Sequence, residues 1–180
     1  MVRESGALSP DLNMIASMRS SGLSWIWLSA LIVLLDQGSK FIASNALVYG
    51  EPVVLLSFFD LTLLHNKGAA FSFLADQGGW QRWFFAAVAL AMSVYLIVWL
   101  KKTPRTMVLQ ALALALILGG ALGNLWDRVL LGHVVDFISL HWRHYYYPAF
   151  NIADSAITVG AVLLIWDMVI VNRESTNKAS

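Results

Sequence analysis

Four long apolar runs, separated by polar breaks, set the plan of this chain. The first covers residues 23 to 43 and is interrupted late by Asp36 and Lys40. Runs 83–100 and 107–126 contain no charged residue, and 150–171 completes the set. About 20 apolar residues cross the hydrocarbon core as a helix, so each run predicts a transmembrane helix. Residues 44–66 follow a different pattern. The stretch from Val53 to Leu63 is rich in β-branched and aromatic residues, too short and broken for a span, and punctuated at its start by Gly50 and Pro52. That composition predicts short strands lying at the membrane surface. Residues 68–74 form a short apolar segment closed by Gly78 and Gly79, expected as an interfacial helix or a re-entrant loop.

These runs divide the chain into a polar, Ser-rich N-terminal tail (1–22), a membrane domain (23–172) and a polar C-terminal tail (173–180). The first run also fits a cleaved signal peptide, because Arg19 precedes it. Against that, Asp36 and Lys40 fall where the cleavage zone would lie, and the run continues past them.

Composition supports a membrane reading. Hydrophobic residues make up 58% and charged residues 13%, against about 25% charged for soluble domains. The net charge of +1, with no basic stripe, excludes a nucleic-acid partner. The absence of cysteine removes disulfides, zinc–thiolate sites, iron–sulfur clusters and a cysteine nucleophile. Tryptophans and tyrosines bracket the runs: Trp25 and Trp27, Trp83 and Trp99, Trp126, and Tyr145 to Tyr147. Amphipathic rings favour such interface positions.

Lys and Arg give the orientation. Both tails and the turn at 101–105 hold Arg3, Arg19, Lys101, Lys102, Arg105, Arg173 and Lys178; the opposite side holds Lys67, Arg82, Arg128 and Arg143, with Lys40 at its rim. Positive residues gather on the cytoplasmic side, so both termini are expected there. Strict alternation of four spans then collects the polar groups on the extracytoplasmic side. Asp36 and Lys40 end the first span, Asn124, Asp127 and Arg128 end the third, and Asn151 and Asp154 begin the fourth. Asn66 and Asp136 are expected in outer loops.

Ionisable groups at membrane depth are costly and mark candidate sites. Two carboxyls in a low-dielectric site hold one proton between them. One then serves as a base toward water and the other as an acid toward a carbonyl or a leaving amine. Asp136 and Asp154 fit that scheme, and they also fit the plainer reading of two separate caps, with Asp154 in the first turn of a helix. The i, i+4 spacing of Asp36 and Lys40 reads as a structural ion pair, with Lys40 also able to snorkel to headgroups. Asp127 pairs with Arg128 or with Lys40, and Arg128 suits a backbone carbonyl or a lipid phosphate. The amides of Asn66, Asn124 and Asn151 either bind an extended peptide or bridge helices, and Asn151 suits the cap of the fourth span. Gly119 and Gly123 form a small-xxx-small pair for close helix packing.

His65, His133, His141 and His144 are expected as surface residues of outer loops. No His-Glu-x-x-His helix or Gly-x-Ser-x-Gly elbow occurs, and no metal site or cofactor is implied. Two other classes remain open on these residues: a small proton-coupled transporter using the same acids as a relay, and a non-catalytic lipid-binding assembly factor.

Five segments together carry a family likeness. Asp36-Gln37-Gly38-Ser39-Lys40, Asn66-Lys67-Gly68-Ala69-Ala70-Phe71, Gly119 to Arg128, Val134-Val135-Asp136-Phe137-Ile138, and Phe150-Asn151-Ile152-Ala153-Asp154-Ser155-Ala156-Ile157 resemble, in order and spacing, the five boxes of bacterial lipoprotein signal peptidase, signal peptidase II. The likeness spans the chain apart from its two tails. It implies an all-α integral membrane protein with four transmembrane helices, a small extracytoplasmic β-cradle and a short interfacial helix, acting as a monomer in the bacterial inner membrane. It implies an aspartic endopeptidase that cuts diacylglyceryl-modified prolipoproteins before the lipidated cysteine and is blocked by globomycin-type antibiotics. On that likeness Asp136 and Asp154 are the catalytic pair. Asn66, Asn124, Arg128 and Asn151 line the substrate pocket, and Asp36, Lys40 and Asp127 support it.

Overall fold

The computed structural model describes residues 21–68 and 79–179, with side chains described as far as residue 170. The N-terminal tail and the segment expected as an interfacial helix lie largely outside those residues, whereas the backbone of the expected C-terminal tail continues the last helix to Ala179. A 3-10 turn, Gly22–Trp25, leads into α1 (Ile26–Ala46). Strands β1 (Val53–Leu56) and β2 (Phe59–Asn66) follow, then α2 (Trp80–Lys102) and α3 (Val108–Leu130). Strands β3 (Val134–Trp142) and β4 (Tyr145–Tyr146) precede α4 (Ile152–Ala179). Among the described residues, four helical segments are long and apolar enough to cross a membrane: Gly22–Ala46, Trp80–Lys102, Val108–Leu130 and Ile152–Ile170.

α3 is the central helix. Half of its apolar window is buried, against 17–22% for the other three. Its apolar face packs Ala111, Leu114 and Leu118 against Leu96 and Leu100 of α2, with Leu23, Trp25 and Leu164 around them. The remaining helix faces expose large apolar side chains such as Leu34, Phe41, Trp83, Val94 and Ile165. In water that surface would be costly; in hydrocarbon it is the ordinary exterior of a span.

Small residues bring the helices together. A β-carbon on Gly119 would meet Ile32 of α1 at 2.7 Å, so the expected close approach at Gly119 is with α1. Gly120, one residue on, lies directly against the Ala153 carbonyl of α4. Gly120→Ala is therefore expected to push α4 outward at the point where Asp154 begins. Overpacking of this kind costs about 1–3 kcal/mol, to be read as a lowered Tm of the purified protein in detergent.

The sheet is antiparallel with order β1-β2-β3-β4. Asn66 lies opposite Val134 and Leu64 opposite Asp136, and Ile138 bridges to Phe150 just before α4. This corrects one expectation: Asp136 and Asn66 are on strands, not in loops. β3 escaped a periodicity reading because Val134, Val135, Asp136 and Phe137 are all buried. A strand covered on both faces shows no in–out alternation.

Two of the histidines, His65 and His141, also differ from expectation by lying on strands. His65 lies on β2 and stacks on His133 with ring centroids 4.0 Å apart. Burial, and then His65, push the His133 imidazole below its ordinary pKa. His141 is on β3, its side chain only 14% exposed, with Nε2 3.1 Å from Asp60 Oδ2 and its ring stacked on Tyr146. His65 and His144 are both exposed, and His133 lies in the bend before β3, so the surface description fails at His141. Among the described residues no group of three or more His, Cys, Asp or Glu is placed to hold a metal.

Candidate active site

The fourth helix begins with a reciprocal cap. Asn151 Oδ1 accepts the Asp154 N–H at 2.9 Å, and Asp154 Oδ2 accepts the Asn151 N–H at 3.3 Å. Two orphan donors of the first turn are satisfied together, as in a capping box. The expected capping role of Asn151 is present, and its side chain does more. Asn151 Nδ2 donates to Asp136 Oδ1 at 2.7 Å and also contacts Asn124 Oδ1 and the Val135 carbonyl, each at 3.2 Å. Asn124 Nδ2 in turn donates to Asp154 Oδ1 at 2.7 Å. Two bridging amides thus connect the carboxyls of Asp136 and Asp154.

Asp136 is almost fully buried and Asp154 half-buried. The second Asp136 oxygen, Oδ2, accepts from Asn66 Nδ2 at 3.0 Å. Burial, then the charge of Asp154, push the Asp136 carboxyl up from 3.8 to about 7, while the amides of Asn66 and Asn151 pull it back down. An acid pushed up toward neutrality beside a second carboxyl with donors on both oxygens is the asymmetry that acid–base chemistry uses. Two separate caps would have no need of that linkage.

Beneath the pair lies a buried ionic cluster. Lys40 Nζ is 2.8 Å from Asp36 Oδ2 and 2.8 Å from Asp127 Oδ2, and it donates to Asn124 Oδ1 at 3.1 Å. The Asp36–Lys40 pair is structural as expected, but Lys40 does not snorkel: it is 3% exposed. Asp127 pairs with Lys40 and not with Arg128. The Arg128 guanidinium donates to the Asn124 carbonyl at 3.2 Å and sits 5.6 Å over the Phe85 ring. All nine sequence-predicted residues belong to this one connected cluster.

Sequence reasoning passed over Gln37. Its Nε2 donates to Asp36 Oδ2 at 3.1 Å, to Asp127 Oδ1 at 2.9 Å and to the Gly123 carbonyl at 3.2 Å. A polar amide inside an apolar run, on the turn that carries Asp36 and Lys40, was the available signal. Beside Asp154 a groove of about 380 Å³ opens between α4 and the sheet, lined by Leu140, Tyr147, Phe150, Thr158 and Val159.

Comparison with known proteins places this site in a family. The family model described as signal peptidase (SPase) II matches residues 28–170. The chain belongs to the signal peptidase II family. A lipoprotein signal peptidase of Pseudomonas putida is 56% identical over 155 residues, covering 85% of this chain and 91% of that protein. Another, from Teredinibacter turnerae, is 54% identical over 156 residues, covering 87% and 90%. A bacterial membrane enzyme solved in meso at 2.3 Å resolution superposes with a TM-score of 0.72 at 31% identity, over 86% of this chain and 91% of that one. A second such structure, at 1.9 Å resolution, gives 0.72 at 32% identity. The protein is therefore a bacterial membrane peptidase of the signal peptidase II family, with four membrane-crossing helices and a small antiparallel sheet. Family membership gives the transporter reading no support.

Proposed function

We propose that this peptidase removes the signal peptide from diacylglyceryl-modified prolipoproteins, cutting before the lipidated cysteine, by an aspartic mechanism. The observation that carries the mechanism is the amide bridge through Asn124 and Asn151, which ties a buried, proton-retaining Asp136 to Asp154. Asp154, held by Asn124 and by the first turn of α4, takes a proton from water as the water attacks the scissile carbonyl. Asp136 gives its proton to the carbonyl oxygen. The tetrahedral intermediate collapses as Asp154 returns its proton to the leaving amine and Asp136 recovers its own from the hydroxyl. Net proton count is unchanged, as hydrolysis requires.

The remaining residues supply positioning. Asn66 and Asn151 hold Asp136, and Asn124 holds Asp154. Arg128, half-buried beside the pair, is assigned to a backbone carbonyl of the substrate. The apolar groove flanking Asp154 supports a lipid-bearing substrate that enters sideways from the bilayer. In this reading the protein sits in the inner membrane with both termini cytoplasmic and its acids at the extracytoplasmic face. Globomycin-type antibiotics occupy the same pocket.

The test is turnover in proteoliposomes with matched precursors. A diacylglyceryl-modified precursor is expected to be cut at the bond before its lipidated cysteine, and the same precursor without the lipid at least about 100-fold more slowly, because remote binding energy drives the chemical step. Equal rates on both would remove the lipid from the specificity.

A further inference from the structure

Val135 and Ala153 stand one residue before Asp136 and Asp154. The backbone N–H of each is held by the same buried cluster. Val135 N–H donates to Asp127 Oδ2 at 3.1 Å, and Ala153 N–H donates to Asp36 Oδ1 at 2.9 Å. We propose that Gln37 and Lys40 are positioning residues which, from one turn of α1, clamp Asp36 to Asp127 and so fix the separation of the two catalytic acids. This rests on the assignment of Asp136 and Asp154 as the acid–base pair.

The geometry is that of a shared anchor. β3 and α4 approach the acids from different parts of the chain; backbone bonds from Phe137 and Ile138 to Phe150 join them at one point, and the buried cluster holds a second, at Val135 and Ala153. Asp127 grips the strand and Asp36 grips the helix. Both carboxylates accept from Gln37, at 2.9 and 3.1 Å, and both lie 2.8 Å from Lys40 Nζ. A β-carbon on Gly123 would fall 2.6 Å from Asp36 Oδ2, so α3 leaves room for the clamp at that position.

Lys40 acts on Asp154 by a second route. Together with Asn151 it donates to Asn124 Oδ1, which turns the amide NH2 of Asn124 toward Asp154. Buried ion clusters of this size are weak devices for stability, since apolar replacements often do as well. What the cluster supplies here is distance and direction, and misplacement by about 1 Å can cost about 100-fold in rate.

Gln37→Leu is the decisive variant. It removes one of the two crosslinks between Asp36 and Asp127, leaves every charge in place and keeps the side chain near its original volume; Lys40→Met removes the other, with the heavier cost of two carboxylates left without their cation. In lipid nanodiscs with a lipidated precursor, Gln37→Leu is expected to lower kcat at least about tenfold while KM stays within about twofold. Amide exchange at Val135 and Ala153 should quicken at least about tenfold, while the amides of α2 keep wild-type protection. Wild-type kcat, or unchanged exchange at those two amides, would overturn the clamp. So would exchange that rises uniformly through the bundle, which marks loss of stability and nothing more specific. The exchange readout needs no turnover. An active Asp136→Asn would sink the catalytic assignment, whereas the two amides judge the clamp separately.

Discussion

Asp136→Asn and Asp154→Asn are each expected to lower turnover of a lipidated precursor by about 1,000-fold, with the double variant no worse than either one alone. General acid–base transfer by a placed side chain contributes about 10²–10⁴-fold, and a carboxyl pair acts as one unit. Once one member cannot pass a proton, the other has no partner for the exchange, so the losses do not add. The replacements are nearly isosteric. Asn at 154 keeps an oxygen toward the Asn151 N–H, which retains the cap of α4. Asn at 136 keeps the volume of a side chain that is 2% exposed. Both variants should therefore insert and purify in wild-type yield, and radiolabelled precursor cleavage measures the loss. Substantial turnover by either variant would transfer the chemistry to other residues.

The second large effect is on pH. Burial and the neighbouring Asp154 charge raise Asp136 from 3.8 to about 7. The proposed active form has Asp136 protonated and Asp154 ionised, so kcat/KM declines above about pH 7, tenfold per unit once Asp136 has lost its proton. Stability moves in the same direction. Between pH 3.8 and about 7 the native protein holds a proton that the unfolded chain has released. Native binding of the extra proton means that unfolding free energy falls as pH rises through this window, then levels off above it. At 1.36 kcal/mol per unit, the whole effect is at most about 4 kcal/mol. Asn66→Ala removes a donor that favours the charged form, so the midpoints of both curves should move to higher pH. Thermal unfolding and initial rates from pH 5 to 9 measure this directly. Curves that stay flat through pH 7 would show that Asp136 is already ionised.

Much of this arrangement was legible in the residues. Four apolar runs predicted four helices because hydrocarbon leaves the backbone few alternatives. The gathering of Asp36, Asn124, Asp127, Asn151 and Asp154 at one end of the bundle follows from span order alone. The capping role of Asn151 and the ion-pair role of Asp36 with Lys40 depend on local spacing, which a sequence displays. β3 was hidden because burial on both faces erases period-two alternation. The pairing of Lys40 with Asp127 was left open because it joins α1 to α3, and no local pattern encodes which of two cations a carboxylate will meet. Gln37 went unnoticed for a related reason: an amide in an apolar run is ordinary until its three acceptors are seen together. His141 looked like a loop residue, but the register of β3 buries it against Asp60.

The coupling of the two acids can be observed without any substrate. Selective ¹³C labelling of aspartate carboxyls, with NMR titration of the protein in nanodiscs, follows Asp136 in wild type and in Asp154→Asn. Wild-type Asp136 should titrate at about 7, and loss of the charge at 154 should bring its midpoint down while burial keeps it above the ordinary carboxylate range. An Asp136 midpoint near 4, or one that does not move when Asp154 is neutralised, would mean that the two carboxyls do not form a single acid–base unit.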